Sequence, residues 1–154
     1  MEILLADSGD RLAQVRSLFE EYWASFDFTP CFQNFADEVA GLPGKYASPE
    51  GRLALAVIAG EAAGCIALRP FDSWRCEAKR LFVRPPFRSE GVGRALLDWV
   101  IAEARGAGYL EMLGDTMPVM SQALAMYARM GFEHTGPYGE DPTPGAIFLR
   151  LKLA

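Results

Sequence analysis

The sequence predicts an α+β domain built on a mixed central sheet, and three observations predict it. Between residues 53 and 83, three strand-like segments follow one another with only turns between them, the pattern of an antiparallel meander. Beyond them, strand-like segments alternate with amphipathic helices in strand-helix-strand units, which predicts parallel pairing. The chain has 154 residues, 51% of them hydrophobic, and shows no internal repeat, low-complexity tract or linker. Residues 1–154 are therefore read as one domain with one core. About six to seven strands flanked by about four helices are expected.

Each element has its own signal. Glu2 to Ala6 reads as a first strand. Asp7 or Ser8 then offers an N-cap to a helix with Leu12, Val15, Phe19, Tyr22 and Trp23 at helical spacing. Phe28 to Pro30 breaks that helix, and Phe32, Phe35 and Val39 suggest a shorter second one. Gly41 to Gly51, with Pro43, Gly44 and Pro49, is loop by composition. Leu53 to Ala59 is a continuous apolar run, Gly60-Glu61 turns the chain, and Gly64 to Leu68 returns it. Arg75 to Val83 is the next strand, stopped by Pro85 and Pro86. Gly91 opens a long helix whose apolar face is Leu96, Leu97, Val100, Ile101 and Ala104, closed by Gly106 and Gly108. Tyr109 to Leu113 is a strand, and Val119 to Met130 a helix that stops at Gly131. Phe132 to Thr135 begins another strand, and Gly136 to Gly145 is a loop before the last strand, Ala146 to Leu151.

Composition narrows the function classes. Fifteen Lys plus Arg against 20 Asp plus Glu give a formal charge of −5, which argues against a nucleic-acid binder and leaves room for a cationic small substrate. Cys31, Cys65 and Cys76 have no CxxC spacing, so neither a disulfide framework nor a metal site is expected, and a reducing cytoplasm suits them. The longest apolar run, Leu53 to Ala59, is too short to cross a membrane, and Met1 to Ala6 does not read as a signal peptide.

The segment richest in chemistry is Arg88-Ser89-Glu90-Gly91-Val92-Gly93-Arg94, between a strand and a helix. Main-chain N–H groups at a helix start form an anion site, and Gly91 and Gly93 let a phosphate approach them. Arg88 and Arg94 add charged donors, so diphosphate binding is expected. A dinucleotide fingerprint would need a third glycine where Leu96 stands, and the Gly-Lys-Ser/Thr ending of a P-loop is absent.

Lys79-Arg80-Leu81-Phe82-Val83-Arg84-Pro85 followed by Arg88-x-x-Gly91-Val92-Gly93-Arg94-Ala95-Leu96-Leu97 resembles the acyl-CoA-binding motif of the GNAT superfamily of N-acetyltransferases. Ala125-Met126-Tyr127-Ala128-Arg129-Met130-Gly131-Phe132 resembles its second hallmark, a helix-borne tyrosine four residues before Gly-Phe. The order of elements is similar to the family's along nearly the whole chain. The resemblance implies acetyl-CoA as acyl donor and no metal. Its diphosphate would lie on the amides around Gly91, Val92, Gly93 and Arg94, with Arg88, Ser89 and Glu90 leading in. Its pantetheine arm would pair with the strand near Leu81 and Val83, and an N–H of Leu81 or Phe82 would steady the oxyanion. Tyr127 would be the acid that protonates the thiolate. A phenol's ordinary pKa of about 10 suits that task. The bland alternative packs Tyr127 beside Leu124 and Met120. Members often carry an asparagine where this chain has Met120.

A strand glutamate eleven residues before the arginine serves as base, acting through water, in one branch of the family, which nominates Glu77. Period-two alternation would put Glu77, Lys79, Leu81 and Val83 on one face, towards the cleft. The alternative is an exposed carboxylate paired with Lys79 or Arg75. His134 reads as structural or solvated and Cys76 as core filler, without partners for nucleophilic chemistry. Two proline-stiffened loops, Leu42 to Pro49 and Gly136 to Pro142, carry exposure-prone aromatics suited to shaping a pocket. Phe26, Phe28, Phe32 and Phe35 concentrate near the first two helices, where core packing is the plainer reading. Lys79, Arg80, Arg84, Arg88 and Arg94 form a basic concentration near the diphosphate motif, while Glu133, Glu140 and Asp141 lie beyond the tyrosine helix. The expectation is acetyl transfer to a small primary amine, with a homodimer admissible. The competing readings are a non-catalytic acyl-CoA sensor and an acetyltransferase of protein N-termini or lysines.

Overall fold

The computed structural model describes residues 1–25, 35–117, 121–139 and 145–154. Its elements are β1 (Glu2–Leu5), α1 (Gly9–Ala24), α2 (Phe35–Ala40), β2 (Arg52–Ile58), β3 (Glu61–Pro70), β4 (Arg75–Val83), α3 (Val92–Gly106), β5 (Glu111–Thr116), α4 (Ser121–Arg129), β6 (Glu133–Thr135) and β7 (Ile147–Lys152). The strands form one seven-stranded mixed sheet in the order β1-β2-β3-β4-β5-β7-β6. The meander is antiparallel throughout, and β4 and β5, joined by α3, pair in parallel. The second strand-helix-strand unit departs from the expected parallel pairing. The short β6 bonds to β7 instead, and β7 enters antiparallel between β5 and β6.

Each face of the sheet is covered because each helix carries one apolar stripe. Val92, Leu96, Leu97, Val100, Ile101 and Ala104 line a single side of α3 and are buried against Ala54, Ile66, Leu68, Cys76 and Met112. Leu124, Met126 and Tyr127 of α4 pack on the same cluster. On the opposite face Val15, Leu18 and Phe19 of α1 join Phe35, Val39, Leu53, Leu55 and Phe82. Each such large side chain stabilises the fold by roughly 1.5–3 kcal/mol on full burial. Tyr46, expected at the surface, is 3% exposed, its ring edge-on to Phe19 at 6.2 Å. Phe35 is also buried, and Trp23 stacks on it at 4.7 Å. Phe26, Phe28, Phe32 and Cys31 lie outside the described residues, as do Met120, Glu140 and Asp141.

Both long glycine stops have a local cause. At the end of α3, Gly108 takes a φ of 92°, its N–H bonds to Arg105 and the Tyr109 N–H reaches back to the Ala104 carbonyl. That is the Schellman arrangement, which closes the last helical carbonyls. It spends Tyr109 on the helix end, so β5 starts two residues later than the sequence pattern suggests, and runs on to Thr116.

Two irregularities in β4 shape everything that follows. Cys65 pairs with Phe82 but Ala67 pairs with Lys79, so Arg80 and Leu81 share a single partner position on β3. Arg80 adopts a φ of 61°, the mark of a β-bulge. An L-residue there loses about 1–2 kcal/mol. Two hydrogen bonds from the Arg80 guanidinium to Glu38, at 2.9 and 3.0 Å, help hold it. The bulge reverses the alternation: Glu77 and Lys79 pair with Arg69 and Ala67 on the α1 face, whereas Leu81 and Val83 pack with the α3 cluster. The single face expected for Glu77, Lys79, Leu81 and Val83 is thereby overturned. The second irregularity is that β4 and β5 pair only over Arg75–Glu77 and Glu111–Leu113. Beyond that point β4 stays with β3 and β5 with β7, and the sheet opens between them.

Candidate active site

The opening between β4 and β5 ends in a cavity of about 110 Å³ bordered by Leu81 and Lys79 of β4, Asp115 of β5 and Tyr127 of α4. From there a groove runs outward. Tyr22, Leu81 and Ala123 border both the inner cavity and a middle stretch. Val83, Arg88, Gln122 and Ala123 border both that stretch and an outer hollow of about 460 Å³ at the start of α3.

The outer hollow is built from main chain. Ser89 and Gly91 have φ values of 71° and 78°, and α3 begins at Val92 with Gly91 as its N-cap. Left-handed residues flanking Glu90 curl the backbone into a concavity, and the first helical N–H groups have no intrahelical acceptor. A side chain at Gly91 would meet nothing within 4 Å, so glycine is needed there for its dihedral rather than for space. Val92 is buried and Glu90 exposed, which leaves backbone amides and nearby guanidiniums as the loop's binding groups. These observations fit a diphosphate.

The charges around the loop are fewer than the sequence suggests. Lys79 and Arg80 lie at the inner cavity, Arg84 binds Glu21 at 2.6 Å, and Arg94 binds Asp98 at 3.2 Å. The expected basic concentration is therefore largely neutralised, because a carboxylate sits beside most of its members. Arg88 remains at the hollow, donating Nε to the Val83 carbonyl at 3.0 Å. Arg129 joins it from the end of α4, a contributor the sequence reading passed over although it lies two residues from Tyr127.

Tyr127 owes its place to the way α4 ends. Gly131 has a φ of 95°, its N–H bonds to Ala128, and the Phe132 N–H bonds to the Tyr127 carbonyl at 3.0 Å. Tyr127 is thus the residue that a Schellman stop pairs with the one after its glycine, and the two rings meet at 5.3 Å. The Tyr-x-x-x-Gly-Phe spacing is the sequence form of that stop. Burial, then the neighbouring Tyr22 and Asp115, pushes the phenol well above its ordinary value. It stays protonated at any working pH.

Glu77 is 2% exposed, which removes the exposed-carboxylate alternative. Arg69 donates to its Oε1 at 2.8 Å, Tyr138 to its Oε2 at 3.0 Å, and Lys79 lies 3.4 Å from Oε2. Arg75 pairs with Asp72 instead. Burial alone would raise the Glu77 carboxyl, but the charges of Lys79 and Arg69 and the donated hydrogen bonds outweigh it and hold the group below its usual range. Glu77 does not border the inner cavity. Asp115 does, with its side chain 22% exposed and one oxygen 3.7 Å from Lys79. Sequence reasoning missed Asp115 because the pattern ended the strand at Leu113.

Of the remaining candidates, one is core and one is solvated. Cys76 is buried, its thiol donating to the Glu111 carbonyl at 3.6 Å and pushed by burial up to about 12. His134 is exposed on β6. Among the described residues, no helix is long and apolar enough to cross a membrane.

The family profile of the acetyltransferase (GNAT) family matches residues 12–132, and the chain belongs to that family. It is 35% identical, over 93% of its length and 89% of the other's, to an uncharacterised N-acetyltransferase of Schizosaccharomyces pombe. Among solved structures, an acetyltransferase of Streptococcus agalactiae superposes with a TM-score of 0.81 at 20% identity, covering 98% of this chain and 97% of that one. A GNAT family acetyltransferase of Elizabethkingia anophelis with acetyl-CoA bound matches at 27% identity and a TM-score of 0.58, covering 67% of this chain and 76% of that one.

Proposed function

We propose that the chain transfers the acetyl group of acetyl-CoA to the primary amine of a small molecule, by direct attack while both substrates are bound. The observation that carries this reading is continuity. One groove joins the amide-lined start of α3 to the opening of the sheet and ends at the Tyr127 side chain. The acetyl-CoA held by the Elizabethkingia relative supports the choice of donor.

The residues divide the work along the groove. The amides of Gly91, Val92, Gly93 and Arg94, with Arg88 leading in beside Ser89 and Glu90 and Arg129 opposite, hold the diphosphate. The backbone of Leu81 and Val83, left without a β5 partner, offers hydrogen bonds to the amides of the pantetheine arm. Acetyl-CoA supplies an acyl carbon activated by a thiol leaving group. An N–H of Leu81 or Phe82 steadies the carbonyl oxygen as negative charge gathers there. Tyr127 places its hydroxyl proton on the departing sulfur. Transfer accompanies cleavage of the carbon–sulfur bond, because the sulfur becomes basic only as negative charge gathers on it. Proton removal from the ammonium form of the acceptor falls to the carboxylate cluster around Lys79, in which Asp115 borders the cavity and Glu77 lies behind it. A cavity of about 110 Å³ suits a slim amine.

Thiol release measured with acetyl-CoA and a panel of small amines tests the reading. Tyr127→Phe is expected to lower kcat by about 10²- to 10⁴-fold while leaving the acetyl-CoA affinity unchanged. Equal rates for wild type and variant across a pH series would remove Tyr127 from the role of acid.

A further inference from the structure

We propose that Asp115 is the group that receives the acceptor's ammonium and takes its proton, and that Glu77 is a positioning residue behind it. The inference rests on the acetyl-transfer reading and names the amine end of that site. Its basis is the layered arrangement of two carboxylates around one lysine.

Glu77 lies in the inner layer. Arg69, Tyr138 and Lys79 converge on it, at 2.8, 3.0 and 3.4 Å, so both of its oxygens are engaged. Tyr138 arrives from the loop after β6, its ring packed edge-on against Phe71 and Phe148 at 5.5 and 5.2 Å. A proton acceptor must reach its donor directly or through one water, and Glu77 stands behind the cavity wall with three donors already on it. Its service is to anchor the Lys79 ammonium.

Asp115 forms the outer layer. It borders the inner cavity together with Tyr127, and its 3.7 Å contact with Lys79 is long for an ion pair. Lys79 and Arg80 face it from β4, Tyr127 from α4, Tyr22 from α1 and Tyr138 from the loop after β6. Glu38 neutralises Arg80 and Glu77 draws Lys79 inward, so the carboxylate of Asp115 presents its negative charge to the cavity. An ammonium entering there meets a carboxylate at the place where it must become an amine.

The proton balance closes. A nitrogen–hydrogen bond of the ammonium breaks and an oxygen–hydrogen bond forms on Asp115. The freed lone pair bonds to the acyl carbon as the carbon–sulfur bond breaks, and the sulfur leaves with the Tyr127 proton. The second proton shed by nitrogen as the amide forms restores the phenol, and Asp115 releases its own to solvent.

Asp115→Asn, Asp115→Glu and Glu77→Gln, each assayed over a pH series with the best amine of the panel, test the assignment. Asp115→Asn is expected to lower kcat/KM for the amine by about 10²-fold or more near neutral pH, with acetyl-CoA affinity by calorimetry unchanged. Its rate should recover towards wild type at high pH, where the amine is already neutral in solution. Asp115→Glu should restore part of the neutral-pH rate, and Glu77→Gln should keep the shape of the wild-type profile at a lower amplitude. Wild-type kinetics for Asp115→Asn, or an altered profile for Glu77→Gln alone, would overturn the assignment while leaving acetyl transfer standing. Absence of turnover by the wild type with every amine would overturn the transfer reading itself.

Discussion

Single residues in this chain carry several duties at once, and Glu77 shows it best. The same carboxylate that orders Lys79 also ties the loop after β6 to the sheet through Tyr138. Its folded-state pKa is lowered, so its contribution to stability is present above the ordinary carboxylate value and is lost as pH falls through the folded one. Acidification from neutrality should therefore destabilise the wild type in steps that Glu77→Gln lacks at that site. Melting temperatures of both proteins between about pH 6 and pH 3 would show it, the gap narrowing as acid is added. Parallel curves would mean that Glu77 is not held below its usual range. Tyr127 was legible in the sequence because a helix stop has a composition, Gly-Phe, that can be read without coordinates. Asp115 was not, since nothing in Gly114-Asp115-Thr116 separates the end of a strand from the turn after it.

At the level of elements, the start of α3 is a backbone device and its predictions follow from dihedrals. Gly91→Glu imposes a side chain on a φ of 78° and sets a negative charge where the diphosphate is proposed to lie. It should weaken acetyl-CoA binding by at least about tenfold in calorimetry, since adverse charge and strain each amount to roughly 1 kcal/mol or more. Unchanged binding would contradict the loop assignment. The α3 stripe, the meander and the parallel β4–β5 pair were all legible, because apolar periodicity reports directly which face is buried. The bulge at Arg80 was not. Strict alternation is the only rule a lone strand offers, and the extra residue becomes visible only when Cys65 and Ala67 are set against Phe82 and Lys79.

For the whole molecule, ligand and fold are coupled through the gap in the sheet. A cosubstrate that binds only the folded form stabilises it by mass action, by about 2.7 kcal/mol at a hundred times its dissociation constant. For a domain of this size acetyl-CoA should raise Tm by several degrees, and Gly91→Glu should blunt that rise. A scanning melt with and without acetyl-CoA checks this, and identical midpoints would count against binding. The charge polarity read from the sequence has also changed. Its basic residues are mostly matched by carboxylates: Arg94 meets Asp98 one helical turn on, while Arg80 and Arg84 meet Glu38 and Glu21 across 42 and 63 positions of sequence, which no local pattern could disclose.

The divergence of β4 from β5 has one further consequence. A strand edge on the rim of a sheet invites whatever chain comes near, and natural proteins guard such rims. Here an edge faces inward, bordered by Ala123 and Tyr127 of α4 and by Asp115 of the far strand. The main-chain groups that would otherwise recruit a foreign strand lie where the pantetheine arm is proposed to run, so a molecule bearing amides at strand-like intervals would take the place of the missing neighbour.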